Sequence, residues 1–140
     1  MSIVNRLQTL RELMSSEGLD VMFVSSPENR RYLSGFTGTY GYLMISESDS
    51  LLMTDFRYFD QAIVQASGFE VERVFGGVDW FASKLVKLNA KKVGFESKHM
   101  TIASHNSFAE ALKNINITYR PDFVGCFDLV DRMRMQKQEV

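Results

Sequence analysis

At 140 residues the chain has the size of a single domain, enough for folding to remove roughly two-thirds of its unfolded surface from water around one core. A hydrophobic content of 45%, with eleven Phe and eight Met, supplies that core, and two Pro and nine Gly are too few for a disordered linker. The formal net charge of -1 provides no positive field to gather nucleic acid or anionic lipid, so neither partner is expected.

Cys126 lies in the apolar run Val124-Gly125-Cys126-Phe127 and, as a single cysteine, cannot make an intrachain disulfide; it reads as an inert buried thiol. No apolar run approaches the ~20 residues of a bilayer span, and Asn5, Gln8 and Thr9 interrupt the N-terminus where a signal peptide needs its apolar centre. A reducing cytoplasm is the expected compartment.

In chain order, Ile3, Leu7, Leu10 and Met14 recur at spacings of three and four and predict an amphipathic helix that stops at Glu17-Gly18. Asp20 leads into Val21-Met22-Phe23-Val24, a continuous apolar run that reads as a strand covered on both faces. Pro27 marks a turn or a helix start. Tyr42 to Ile45 and Leu51 to Thr54, separated by Ser46-Glu47-Ser48-Asp49-Ser50, predict a hairpin. Tyr58, Ala62, Ile63 and Ala66 return to helical spacing and stop at Gly68. A strand follows over 69–75, with Phe69, Val71 and Phe75 on one face. Asp79 is the expected cap of a helix carrying Trp80, Leu85 and Leu88. Lys92 to Glu96 reads as a strand, Thr101 or Ser104 as the cap of a helix through Phe108, Leu112 and Ile115, and Ile117 to Tyr119 as a last strand. Strands interleaved with three-turn helices predict an α/β layer structure with a mixed β-sheet flanked by helices. Residues 129–140 are helix-prone but end without a Gly or Asn stop, as expected either of a chain that continues beyond Val140 or of a terminal helix that frays.

Residues 29–41 carry the most unusual composition, with Gly35, Gly38 and Gly41 three apart and hydroxyl and aromatic side chains between them. Such a loop can approach another surface closely and offer it backbone groups, or it can simply be a tight connection into the strand at Tyr42. It is neither a dinucleotide fingerprint nor a phosphate-binding loop, which needs Lys where Tyr42 stands. Asp55-Phe56-Arg57-Tyr58 lies where a strand hands over to a helix, a place where α/β sheets often expose functional side chains; in the structural reading Asp55 is a helix cap and Arg57 the partner of a nearby carboxylate. His99 and His105 are six apart and read as exposed polar residues, not metal ligands. Neighbouring Ser104 and His105 do not make a catalytic pair. Asp20, Asp55 and Glu96 at predicted strand ends leave a two-metal nuclease as a minor reading, which the missing basic surface disfavours.

Tyr32-Leu33-Ser34-Gly35-Phe36-Thr37-Gly38 followed by Thr54-Asp55-Phe56-Arg57-Tyr58-Phe59-Asp60-Gln61-Ala62 closely resembles the paired signature of the creatinase/prolidase N-terminal domain, a "YLxGFTG" loop before a "TDxRYxxQA" segment. The opening helix, the first strand and the closing Arg132-Met133-Arg134-Met135-Gln136-Lys137 are similar too, so the resemblance covers essentially the whole chain. It implies a ribonuclease H-like α/β motif over 1–131, with 132–140 beginning the connection to a metallopeptidase domain. It also implies a parent Xaa-Pro dipeptidase or aminopeptidase, a cytoplasmic homodimer acting on short proline-containing peptides. Its two divalent ions (Mn, Co or Zn) are expected in that other domain, with no metal ligand, cofactor or catalytic residue in this chain, which alone is expected to be inactive.

By the same resemblance the domain builds the dimer, and residues 35–40 reach over the partner subunit's pocket. Phe36, Thr37, Thr39 and Tyr40 are the expected pocket-facing set, with Phe36 and Tyr40 forming a wall. Gly35, Gly38, Asp55, Arg57 and Tyr58 are expected to support the loop. Phe56 and Tyr40 are bulkier than their counterparts in many relatives, which alters the pocket shape. The alternative is a stand-alone binding or oligomerisation module without peptidase activity.

Overall fold

The computed structural model describes residues 2–113, 118–119 and 129–138; the expectations for Ile115, Ile117 and Cys126 fall outside them. α1 (Ile3–Ser16) is capped by the Ser2 hydroxyl, which accepts from Asn5 N–H, and buries Leu7, Leu10 and Met14. β1 (Val21–Val24) is buried at every position, as a strand covered on both faces should be. There follow α2 (Pro27–Ser34), β2 (Tyr42–Ser46), β3 (Ser50–Thr54), α3 (Phe59–Gln65), β4 (Glu70–Arg73), α4 (Asp79–Lys87), β5 (Lys92–Phe95), α5 (Ile102–Ala111), β6 (Thr118–Tyr119) and α6 (Leu129–Gln138).

The strands make one six-stranded sheet in the order β4-β3-β2-β1-β5-β6. β2 is antiparallel to β1 and β3, whereas β1 pairs β5, β3 pairs β4 and β5 pairs β6 in parallel. The segments that leave β1, β3 and β5 therefore emerge at one end of the sheet, and so does the segment entering β2. Strand alternation divides the core in two. Met22, Val24, Leu43, Ile45 and Leu52 face α1, α2, α3 and α6. Val21, Phe23, Met44, Leu51, Met53, Val93 and Phe95 face α4 and α5, which contribute Trp80, Phe81, Leu85, Phe108 and Leu112. The expected mixed sheet with helices on both faces is the fold observed.

Several local expectations change. Residues 29–34 belong to a helix: Ser26 caps it by accepting from Asn29 N–H, Pro27 opens it, and Gly35 ends it at φ +83°. The helix was illegible because Asn29, Arg30 and Ser34 occupy its buried positions, where apolar residues would have shown the period. Asp79 is the first helical residue of α4, not its cap; Val78 holds the cap position and makes no side-chain capping bond. Thr101, not Ser104, caps α5. Ile63 and Phe75 are exposed, and β4 ends at Arg73.

Candidate functional site

Residues 35–41 link α2 to β2 at the sheet end where β3 also terminates, and they are held from beneath and from outside. Beneath lies Arg30, 3% exposed, whose guanidinium donates to Gly41 O and Gly38 O at 2.8 Å each. Burial pushes the Arg30 pKa down, and the two carbonyls accept from Nη1 and Nη2 where a carboxylate would be the usual partner, leaving Nε buried without one. Ser34 Oγ accepts from Phe36 N–H (3.1 Å), and Thr54 Oγ1 donates to Tyr40 O (2.6 Å).

Outside, Gln65 Oε1 accepts from Thr37 N–H at 2.9 Å, and Thr39 Oγ1 meets Tyr58 Oη at 2.5 Å. Gly35 is required twice over: its φ is left-handed, and a Cβ there would lie 3.1 Å from Gln65 O.

The expected wall is divided by this geometry. Phe36 is 1% exposed and joins the core, its ring edge-on to Tyr58 with centroids 6.3 Å apart. The loop backbone folds over that ring so closely that a Cβ on Gly38 would stand 2.2 Å from it. Phe36 supports the loop from below and is not available as a surface wall. Thr37 and Thr39 are exposed and Tyr40 is half-buried.

Asp55 does not cap α3, which starts at Phe59 without a side-chain capping bond. It closes its own turn, Oδ1 accepting from Arg57 N–H (2.9 Å) and Oδ2 from Arg57 Nη2 (2.7 Å) and Nε (3.0 Å). The Arg57 side chain, whose hydrogen bonds hold the Asp55 carboxyl below the usual range, lies 5.1 Å from the Tyr58 ring centroid. Asp55, Arg57 and Tyr58 thus form one braced corner beside the loop, with Phe56 exposed on it.

A second polar cluster was not foreseen. Glu96, fully buried after β5, accepts from Ser25 N–H (2.7 Å), Ser26 N–H (2.8 Å) and the Asn29 amide. Asn29 Nδ2 also donates to Asp131 Oδ1 (2.7 Å), Arg134 Nη1 donates to Asn29 Oδ1 (2.8 Å), and His99 Nε2 lies 3.2 Å from Asp131 Oδ2. Contacts across 67 to 105 residues leave no local sequence signal, which is why the cluster was missed. One ligand atom each from Glu96, His99 and Asp131 lies within 4.8 Å of the others, close enough for one cation. The Asn29 amide already donates to both carboxylates, however, and Arg134 approaches Asp131 to 4.0 Å, so the cluster is built as a hydrogen-bond network and does not fit a two-metal centre. His99 is thus engaged with Asp131, and His105, half-buried, packs on Phe95 with centroids 5.2 Å apart; neither is a free surface histidine.

The nuclease reading fails on topology. Glu96 and Asp55 follow β5 and β3 at one end of the sheet, whereas Asp20 precedes β1 at the other, where it accepts from Lys91 and Lys92 N–H. Among the described residues no helix is long and apolar enough to cross a membrane.

Comparison with known proteins agrees with the fold. An uncharacterized peptidase of Bacillus subtilis, YqhT, is 32% identical over 133 residues, which are 94% of this chain and 36% of that protein. The structure of an Xaa-Pro dipeptidase from Bacillus anthracis superposes with a TM-score of 0.85 at 31% identity, over 95% of this chain and 36% of that one. The N-terminal domain of the cytoplasmic peptidase PepQ from Mycobacterium tuberculosis gives 0.80 at 31% identity, over 93% and 98% of the two chains. This chain therefore spans about a third of the full-length peptidases it matches there, and nearly all of a separately solved N-terminal domain. The family model of the creatinase/prolidase N-terminal domain matches residues 6–136, from α1 through the braced loop to α6, and the chain belongs to that family.

Proposed function

We propose that this chain is the non-catalytic N-terminal domain of an Xaa-Pro dipeptidase or aminopeptidase, and that residues 35–40 form part of the substrate pocket of a partner subunit. The observation that carries the reading is the bracing of that loop. An exposed connection of this length would ordinarily be mobile, yet here Arg30, Thr54, Tyr58 and Gln65 each bond it. A fixed loop lowers the ordering cost of binding and excludes water from a neighbouring reacting centre.

Thr37, Thr39 and Tyr40 are the residues left to meet a peptide, with Phe36, Gly35, Gly38, Asp55, Arg57 and Tyr58 beneath or beside them. The exposed apolar side chains Phe56, Ile63, Val64 and Phe75 support a dimer surface on the domain. In this reading two divalent ions, Mn, Co or Zn, are held outside this chain and supply the activated water. The protein acts on short proline-containing peptides in the cytoplasm.

The test is hydrolysis of Xaa-Pro peptides by the complete gene product carrying this chain, with metal added, and its mass by sedimentation. The expected result is a metal-dependent homodimer whose KM rises several-fold when Thr39 and Tyr40 are replaced by Ala. A product that hydrolyses no such peptide refutes the assignment and leaves a binding or oligomerisation module.

A further inference from the structure

Thr37, at the exposed tip of the loop, is saturated with hydrogen bonds on the side facing α3. Its N–H donates to Gln65 Oε1 at 2.9 Å. Because an N–H can only donate, this contact fixes which end of the Gln65 amide carries the oxygen. Thr37 Oγ1 then donates to the same Oε1 (3.3 Å) and accepts from Gln65 Nε2 (3.0 Å) and Gln61 Nε2 (3.2 Å). Gln61 Nε2 also donates to Gln65 Oε1 at 3.2 Å, so the two glutamines, one helical turn apart on α3, act together.

A hydroxyl has one proton and two lone pairs to use. All three are engaged, and the Cγ2 methyl is what the Thr37 side chain has left to offer a neighbour.

We infer that Gln65, with Gln61, is a positioning residue for the loop, and that Thr37 presents its methyl and not its hydroxyl to the bound molecule. This rests on reading residues 35–40 as a pocket wall. It assigns the tip an apolar contact suited to a saturated ring or an aliphatic side chain of a peptide. It gives α3, whose glutamines are exposed and otherwise unexplained, a role in setting that contact.

The experiment has two arms. In this 140-residue chain, NMR amide exchange at Thr37 is compared among wild type, Gln65→Leu and Gln65→Glu, with the Leu52 amide of β3 as a folding control. A glutamate still accepts from the Thr37 N–H and hydroxyl, so Gln65→Glu is the rescue. Gln65→Leu is expected to speed Thr37 exchange about tenfold, Gln65→Glu to stay within about twofold of wild type, and Leu52 to be unaffected. Unchanged exchange in Gln65→Leu, or equal acceleration in both variants, overturns the positioning role.

In the gene product with its peptidase activity, Thr37→Ser keeps the hydroxyl and loses the methyl, while Thr37→Val does the reverse. A several-fold rise in KM with little change in kcat is expected for Thr37→Ser and for Gln65→Leu. A rise for Thr37→Val that exceeds the rise for Gln65→Leu, which loses the same brace, or an unchanged KM in Thr37→Ser, means the hydroxyl is the group used, and overturns the methyl assignment. If exchange responds as stated while KM moves in none of the variants, the brace stands and it is the pocket-wall reading that falls.

Discussion

Asn29 Nδ2 donates to Asp131 Oδ1 at 2.7 Å across 102 residues of sequence, and the same nitrogen donates to the buried Glu96 carboxylate. One amide therefore joins the first turn of α2, the end of β5 and α6. Asn29→Ala leaves both carboxylates a donor short in a buried setting, which costs about 2–3 kcal/mol. For a chain of this size that is a fall in Tm of roughly 10 °C. Thermal unfolding of the variant measures it. A Tm within experimental error of wild type would mean that the bridge contributes nothing net.

Glu96 gives a prediction in pH. Burial pushes its carboxyl above the usual range, against the pull of the Ser26 N–H, the Asn29 amide and the Ser25 N–H. A carboxyl raised in the folded state binds its proton more tightly there than when unfolded. Its contribution to stability is therefore greatest in acid and is lost as pH climbs from the unfolded value, about 4.3, through the folded one. Glu96→Gln removes the titration. Urea unfolding from pH 4 to 8 is expected to show the wild type losing ground to Glu96→Gln as pH rises. Repeating the pair in a His99→Asn chain removes the neighbouring imidazole from the comparison. A wild-type-to-variant difference that stays flat across that range excludes a raised Glu96.

Glycines separate into tight and loose positions, and the contrast is measurable. Gly38 has Phe36 ring atoms at 2.2, 2.8 and 3.0 Å from where a Cβ would be, and the ring is buried in the core and cannot swing away. Gly38→Ala is expected to cost about 1–3 kcal/mol by overpacking and to displace the loop. At Gly68, by contrast, a Cβ meets nothing within 4 Å and the backbone is not left-handed, so Gly68→Ala is expected to be neutral or stabilising by up to about 1 kcal/mol. Chemical denaturation of the two variants side by side tests both halves.

The hairpin of β2 and β3 was legible because two apolar runs flank a short Ser- and Asp-rich turn, and β1 because both its faces are covered by apolar layers. The second helix was not, since the residues that bury into the fold there include Asn29, Arg30 and Ser34. Their partners are carbonyls and carboxylates brought by distant segments, and hydrophobic periodicity is blind to them. The same reason hid the site's machinery. Gly35, Thr37 and Tyr58 stood out by residue type, while Arg30, Gln61 and Gln65 had no assigned role until the fold put their donors and acceptors on the loop. Phe36 was misjudged in the other sense, because an aromatic between glycines looks exposed when nothing in the sequence shows the backbone wrapping over it.

The two faces of the sheet allow a test of whether the domain unfolds as one unit. Trp80 is the single tryptophan and lies on the α4 and α5 side, 6.3 Å from Phe23 and 5.4 Å from Tyr42 between ring centroids. Phe23 also contacts Phe81 and Phe108, at 4.8 and 4.9 Å, so Phe23→Ala empties the centre of this aromatic group and is expected to cost about 3–5 kcal/mol. Its Trp80 emission should shift to the red in the folded state. Asn29→Ala acts on the opposite face, where Leu129, Val130 and Met133 of α6 pack with Leu7, Leu10 and Met14 of α1. β1 belongs to both faces, with Met22 and Val24 on one and Val21 and Phe23 on the other, so loosening either layer strips support from the same strand. Denaturation followed by Trp80 emission and by far-UV circular dichroism should therefore coincide in wild type and in both variants. Trp80 emission that persists after half the helical signal of Asn29→Ala has gone would show α6 and its layer leaving first, and the Asn29 bridge would then hold a separable unit in place.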